Sequence, residues 1–187
     1  QQYLNIKSAS SPSMSPDGRE VAYLSNATGT TQVWATLISS PKPVQLTNYE
    51  DNVSFVRWLS DGSGMIFGKA KGGDENTQFY WMDKFGQNVK PLTNDPSVRH
   101  NFGLISRDAD VIAYSSNKRN RNYFDIYAMD IASGREVLLY QQDGDNSIVA
   151  LSDNGRQFII SRSGGELSLD NNLYLIDAKT KAATLLT

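Results

Sequence analysis

The sequence predicts an all-β repeat protein, and three observations carry that prediction. Four related stretches are centred on Asp17, Asp61, Asp108 and Asn154, with spacings of 44, 47 and 46 residues. An aromatic column, Trp34, Tyr80, Tyr127 and Tyr174, keeps the same period, with spacings of 46, 47 and 47 residues. No segment shows a sustained apolar period of about 3.6 residues, so essentially no helix is expected.

Each repeat is expected to form four short strands, and the first repeat shows why. Residues 12–15 form the first strand, and the turn that follows, Pro16-Asp17-Gly18, suits a sharp reversal because proline fixes φ and glycine accepts a positive φ. The second strand, 20–25, is rich in β-branched and aromatic residues. A polar loop at 26–31 precedes a third strand at 32–37, and a fourth strand ends at Leu46-Thr47.

A repeat of roughly 40–50 residues with four strands is typical of a β-propeller blade. The fold class is therefore all-β, a β-propeller with four four-stranded antiparallel blades. One domain spans 1–187, with blades at approximately 8–47, 52–93, 100–140 and 146–187. The first strands of the last three blades are expected at 53–58, 102–106 and 147–151.

Composition excludes several classes of function. Eighteen Lys and Arg against 20 Asp and Glu give a net charge of −2, which argues against nucleic acid as a partner. No apolar run reaches the ~20 residues of a membrane span. The absence of cysteine excludes disulfides and thiol catalysis, and leaves a periplasmic or a cytoplasmic location open. A single histidine, His100, excludes a two-histidine metal site, and no cofactor is expected.

The repeat motifs resemble those of known propellers. The stretch Ser15 to Tyr23, followed by Val33-Trp34 and then Gln45-Leu46-Thr47, is similar to blades of two groups of proteins. One is the propeller protein of the Tol–Pal system, and the other is the prolyl oligopeptidase family of serine peptidases. The opening segment, Tyr3 to Gly18, resembles the approach to the first blade in the peptidases.

The resemblance to the peptidases implies a ring of seven or eight blades beside an α/β-hydrolase domain. There the propeller limits access and helps to hold the peptide substrate. This sequence has no Gly-x-Ser-x-Gly nucleophile elbow, so no catalytic residue is expected in it. Two further readings stay open: a non-enzymatic, Tol–Pal-like protein-binding scaffold, and a closed four-bladed propeller with its own ligand.

The expected partners are a hydrolase domain of the same polypeptide or a second copy of the chain, together with a peptide. Four blades taken from a larger ring form an open arc, whose two end faces are apolar. We expect those faces to expose Val21, Tyr23 and Trp34 in the first blade. In the fourth blade we expect Phe158, Ile160 and Tyr174 to be exposed.

Three residues are the candidates for substrate binding, and none of them is assigned a catalytic or metal-binding role. Arg119 and Arg121 lie in the densest basic stretch, Lys118 to Tyr123, where guanidinium groups suit a carboxylate or phosphate. The alternative is a solvated hairpin tip. His100 fits loop packing better than catalysis. The oxygen-rich stretches 143–146 and 170–172 are explained by turns rather than by calcium.

The long polar loops are the expected binding surface, because function on a propeller usually lies in loops over a rigid scaffold. They are the connections between second and third strands and between successive blades. Their ranges are 26–31, 69–76, 95–101, 117–122 and 162–171.

Overall fold

Sixteen β-strands make up the regular structure in the computed structural model, which describes residues 6–106, 111–152, 154–163 and 170–187. The expected third turn, around Asp108, lies outside these residues, as do Asp153 and the tip of the loop at 162–171. The chain divides into two compact units, Gln1–Pro96 and Ser97–Thr187.

The first unit holds two four-stranded antiparallel sheets, and each follows the order of the chain. The strands of sheet 1 are β1 (Ala9–Met14), β2 (Glu20–Ser25), β3 (Gln32–Leu37) and β4 (Val44–Gln45). The strands of sheet 2 are β5 (Val53–Trp58), β6 (Gly64–Lys69), β7 (Gln78–Asp83) and β8 (Lys90–Pro91).

The second unit repeats this pattern with longer strands. Sheet 3 contains β9 (His100–Ile105), β10 (Val111–Asn120), β11 (Tyr123–Asp130) and β12 (Glu136–Tyr140). Sheet 4 contains β13 (Asp145–Leu151), β14 (Gln157–Ser163), β15 (Asn171–Asp177) and β16 (Ala183–Leu185). The two sheets are joined where Phe124 of β11 pairs in parallel with Asp145 of β13.

One packing rule appears in both units. Strand alternation gives each sheet two faces, and we call the face that carries the aromatic column face A and the opposite face B. In the first unit, Phe67 and Tyr80 on face A of sheet 2 pack against Ala22, Leu24 and Val33 on face B of sheet 1. Within this unit, face A of the later sheet therefore covers face B of the earlier one.

The second unit follows the same rule. Phe158, Ile160 and Tyr174 on face A of sheet 4 pack against Ala113 and Ile126 on face B of sheet 3. The expectation that Phe158 and Ile160 are exposed is therefore wrong, because both are at most 1% exposed. In sheet 1, by contrast, Val21, Tyr23 and Trp34 lie opposite the packed face and are half-buried.

The predicted turns are confirmed in the three repeats where they are described. Gly18, Gly62 and Gly155 have φ values of 71°, 71° and 65°. In the first turn, the Ser15 hydroxyl donates to Asp17 Oδ1 at 2.6 Å, and the Arg19 amide donates to the same oxygen at 3.0 Å. Asn154 accepts from the Arg156 amide at 3.0 Å in the fourth repeat, so the side-chain acceptor matters more than the charge.

We expect Gly18→Val to destabilise the protein by about 1–3 kcal/mol, because a β-branched residue is strained at positive φ. An added Cβ meets no atom within 4 Å, so the cost comes from the backbone alone. Arg19→Ala is the control, since Arg19 is exposed. Equal melting temperatures for the two variants would contradict the turn assignment.

Tyr127→Ala is expected to cost about 3–5 kcal/mol, the usual range for truncation of a large buried aromatic residue. Tyr127 is 7% exposed and stacks on Tyr114 with ring centroids 5.9 Å apart. Tyr123→Ala, in the half-buried first residue of β11, serves as the control in denaturant unfolding. A midpoint for Tyr127→Ala within error of wild type would show that the aromatic column is not core.

Turn aspartates are expected to make the fold sensitive to acid. The Ser15 hydroxyl lowers the pKa of Asp17, the Ser133 hydroxyl lowers that of Asp130, and the Thr180 amide lowers that of Asp177. Their stabilisation is present above the unfolded pKa of about 3.9 and is lost as pH falls through the lower folded values.

The test is denaturant unfolding between neutral and acidic pH. The triple variant D17N/D130N/D177N keeps the side-chain acceptors but removes the titrating groups. We expect its free energy of unfolding to fall less steeply below pH ~4 than that of wild type. Parallel curves for the two proteins would contradict this origin of the acid sensitivity.

Candidate functional site

Cations lie over three rings of the aromatic column, at the end where the second strand leads into the third. The Lys69 ammonium is 5.3 Å from the Tyr80 ring centroid, and the Lys118 ammonium is 4.8 Å from that of Tyr127. The Arg162 guanidinium is 5.9 Å from the Tyr174 ring centroid. Each sheet that carries such a pair therefore presents a positive group at the edge where its polar loop begins.

Arg119 is bound within the protein rather than free at a hairpin tip. Its Nε and Nη2 donate to the two carboxylate oxygens of Asp125 at 2.6 and 3.0 Å. Its Nη1 donates to Asp143 at 2.9 Å, and its guanidinium lies 5.4 Å from the Tyr123 ring centroid. These hydrogen bonds raise the pKa of Arg119 above its already high value. The strand pairing also continues further than expected, because β10 and β11 reach Asn120 and Tyr123.

Asp125 occupies a position that is glutamine in the first two repeats. Gln32, which is fully buried, accepts from the Thr47 hydroxyl at 2.8 Å and from the Tyr49 amide at 3.0 Å. Gln78 in turn accepts from the Asp95 amide at 3.0 Å. The third repeat uses the Asp125 carboxylate, which accepts from the Gln142 amide at 3.2 Å.

In the third repeat, the charged Arg119–Asp125 pair therefore replaces the neutral glutamine of the first two repeats. The Asp125 side chain is fully buried, whereas that of Arg119 is 29% exposed. A buried carboxylate needs such a partner, because removing the partner leaves an uncompensated charge. Arg119 thus links the β10–β11 hairpin to the connection that leads to β13.

The other two candidates lie in different environments. Arg121 is exposed at the tip between β10 and β11, where its carbonyl accepts from the Asn117 amide group at 3.4 Å. His100 is 3% exposed as the first residue of β9, with its ring centroid 5.7 Å from that of Tyr114. Arg121 therefore faces solvent, whereas His100 packs within sheet 3.

A serine, a histidine and an aspartate stand in one row of sheet 3, but they do not form a catalytic relay. Ser116 pairs across the sheet with His100 on one side and Asp125 on the other. A relay needs the histidine between serine and aspartate, whereas here the serine is central and fully buried. Asp125 is also engaged by Arg119, so the row has a structural role.

The second unit holds another cluster around the tyrosines of sheet 3. The Tyr114 hydroxyl donates to Glu136, and the Lys118 ammonium donates to the same carboxylate at 2.7 Å. Burial raises the pKa of Tyr114, and the hydrogen bond to Glu136 raises it further, so this phenol stays protonated. Glu136 thereby neutralises the positive charge of Lys118 at the edge where the loop begins.

Other kinds of site can be judged only for the described part of the chain. There, no three His, Asp or Glu side chains come close enough to hold a metal ion. The same residues contain no helix that is long and apolar enough to cross a membrane.

Four-stranded sheets that repeat along the chain and stack face A on face B define a β-propeller protein. Sequence comparison agrees, because the TolB beta propeller domain family matches residues 4–187. The chain belongs to this family.

Three relatives place the chain among longer proteins. Dipeptidyl aminopeptidase BIII of Pseudoxanthomonas mexicana is 28% identical over 135 residues, which is 70% of this chain but 19% of that protein. TolB from Acinetobacter baumannii superimposes with a TM-score of 0.71 at 22% identity, over 97% of this chain and 44% of that one. Dipeptidyl peptidase 4 of Porphyromonas gingivalis gives a TM-score of 0.74 at 16% identity, over 97% of this chain and 26% of that one.

These comparisons confirm the predicted fold and the resemblance to both groups. The chain is related to the propellers of peptidases and to TolB, and it spans less than half the length of each of these relatives.

We expect Arg119→Met to lower the melting temperature, since it leaves the Asp125 carboxylate buried without its partner. Adding Asp125→Gln restores the residue used in the first two repeats and should recover much of the loss. Thermal unfolding of both variants measures this. A double variant less stable than Arg119→Met would show that the carboxylate is not the source of the loss.

Proposed function

We propose that the chain is the non-catalytic propeller part of a prolyl-oligopeptidase-like serine peptidase, in which it limits access and helps to bind the peptide. The observation that carries this proposal is the 28% identity with dipeptidyl aminopeptidase BIII over 135 residues. The proposed partner is an α/β-hydrolase domain of the same polypeptide, since the sequence holds no nucleophile elbow.

The proposed ring has seven or eight blades. Each sheet that follows another in a unit covers face B of its predecessor with its own face A. By the same rule, face A of sheet 1 packs against face B of a preceding blade in the proposed ring. The residues on this face include Val21, Tyr23 and Trp34. Further blades of the same polypeptide supply such a face, and a second copy of the chain is the alternative source.

Arg121 is the best of the three candidates for contact with a peptide. It is exposed on the hairpin between β10 and β11, whereas Arg119 is bound by two carboxylates and His100 is buried. An exposed guanidinium suits a carboxylate of a substrate because it offers two parallel donors. A role of Arg119 in binding is then indirect, through the position of this hairpin.

The experiment compares residues 1–187 with the product of the complete gene. We expect the full protein, and not residues 1–187, to hydrolyse aminoacyl-naphthylamides. A fluorophosphonate should label a serine outside this region. If the full protein neither hydrolyses the substrates nor reacts with the probe, the peptidase proposal fails.

The second candidate function is a protein-binding scaffold without enzyme activity. It is supported by the superposition with TolB, which covers 97% of this chain. This function predicts that the complete gene encodes no hydrolase domain. It also predicts that the full protein binds a protein partner through the polar loops, and that this binding is lost when those loops are replaced by short turns.

A further inference from the structure

Lys69, the last residue of β6, is held between two tyrosine rings in the first unit. Its ammonium lies 4.9 Å from the ring centroid of Tyr49 and 5.3 Å from that of Tyr80. Phe67, which is fully buried, stacks on both rings, with centroids 6.0 Å from Tyr49 and 5.2 Å from Tyr80. The rings therefore form a packed support that fixes the position of the ammonium.

Lys69 differs from the two other cations that lie on the aromatic column. Lys118 donates to Glu136 at 2.7 Å, and Arg162 donates to the Asp143 carbonyl at 3.4 Å. For Lys69, no described residue supplies a hydrogen-bond acceptor or an ion-pair partner. Three N–H donors of a positioned and partly exposed cation are thus unused.

The two tyrosine hydroxyls are also without partners among the described residues. Burial raises the pKa of Tyr49, and the nearby Tyr80 raises it further; burial likewise raises the pKa of Tyr80. Both phenols therefore remain protonated donors at neutral pH. The Lys69 ammonium lies within 5.3 Å of both ring centroids, so one cation and two phenol groups that can donate occupy the same part of the first unit.

The neighbouring charges favour a singly charged ligand. Asp51 is bound to the loop, since it accepts from the Gly72 amide at 2.9 Å, and Glu50 is exposed nearby in the chain. The single positive charge of Lys69 balances one carboxylate, whereas a phosphate dianion carries more negative charge than Lys69 alone can balance.

We propose that Lys69, Tyr49 and Tyr80 form a binding site for a carboxylate group, such as a peptide C-terminus or an acidic side chain. The lysine supplies the charge, and the hydroxyls donate to the carboxylate oxygens. The site belongs to the first unit and does not require a hydrolase domain. Carboxylate binding can therefore be tested independently of the proposed peptidase function.

The experiment follows backbone amide NMR shifts of the 187-residue chain at constant ionic strength. Three probes are titrated: acetyl-alanine with a free carboxylate, acetyl-alanine methylamide, and inorganic phosphate. We expect saturable shifts around Lys69 and Tyr80 with the free carboxylate, none with the methylamide, and weaker binding of phosphate. Equal shifts with the methylamide, or tighter binding of phosphate, would overturn the assignment.

Matched variants locate the site. Lys69→Met keeps the aliphatic chain on the rings and should weaken carboxylate binding at least about tenfold, as expected for a lost charged hydrogen bond. Lys71→Met, an exposed lysine two residues away, should leave the affinity unchanged. The double variant Y49F/Y80F keeps the packing and should weaken binding several-fold. Unchanged affinity in Lys69→Met or in Y49F/Y80F contradicts the proposal.

Discussion

Packing of one sheet face against the next is the constraint on which the rest of this structure depends. A four-stranded sheet has two apolar faces and cannot bury both alone, so each face needs a neighbour. Face B of sheet 1 offers the small side chain of Ala22, and Phe67 and Tyr80 of sheet 2 belong to the same cluster. The second unit repeats the arrangement with Ala113 and Ile160. The small side chains of Ala22 and Ala113 leave room for the large side chains of the next sheet in the same unit.

This packing also positions the groups that face the loops. The sheet fixes the ring of each aromatic-column residue. A cation that follows the cross-strand partner of that ring by two residues therefore lies on a rigid surface. Lys69 follows Phe67 in this way, and Arg162 follows Ile160. The chain varies what each cation does by changing its partners, as the carboxylate beside Lys118 shows. The charge presented at the loop edge therefore differs between blades that share the same packing pattern.

The sequence predicted the repeat well because its signals are local. Strands β2 and β3 begin and end at the predicted residues, and Gly18 adopts the positive φ that the turn requires. The exposure of Phe158 and Ile160 was predicted wrongly because a period of two separates the faces of a strand but does not say which neighbour covers each face.

The site residues were harder to predict, since their roles come from contacts distant in sequence. Arg119 is of a residue type that often binds ligands. Here it instead pairs with Asp143, which lies in the connection to the next sheet. One sequence signal does point to this pair: Gln32, Gln78 and Asp125 each stand two residues before the aromatic column. The support of Lys69 by Tyr49 could not be read from the sequence, because the two residues lie in different parts of the repeat.

A double-mutant cycle between sheets 1 and 2 tests the packing rule most directly. Leu24 on face B and Phe67 on face A belong to one buried cluster, so Leu24→Ala and Phe67→Leu should not act independently. We expect a coupling energy of about 0.5–3 kcal/mol in denaturant unfolding, as is usual for residues in contact. Free energies that add within about 0.3 kcal/mol would contradict face-to-face packing as the basis of the fold.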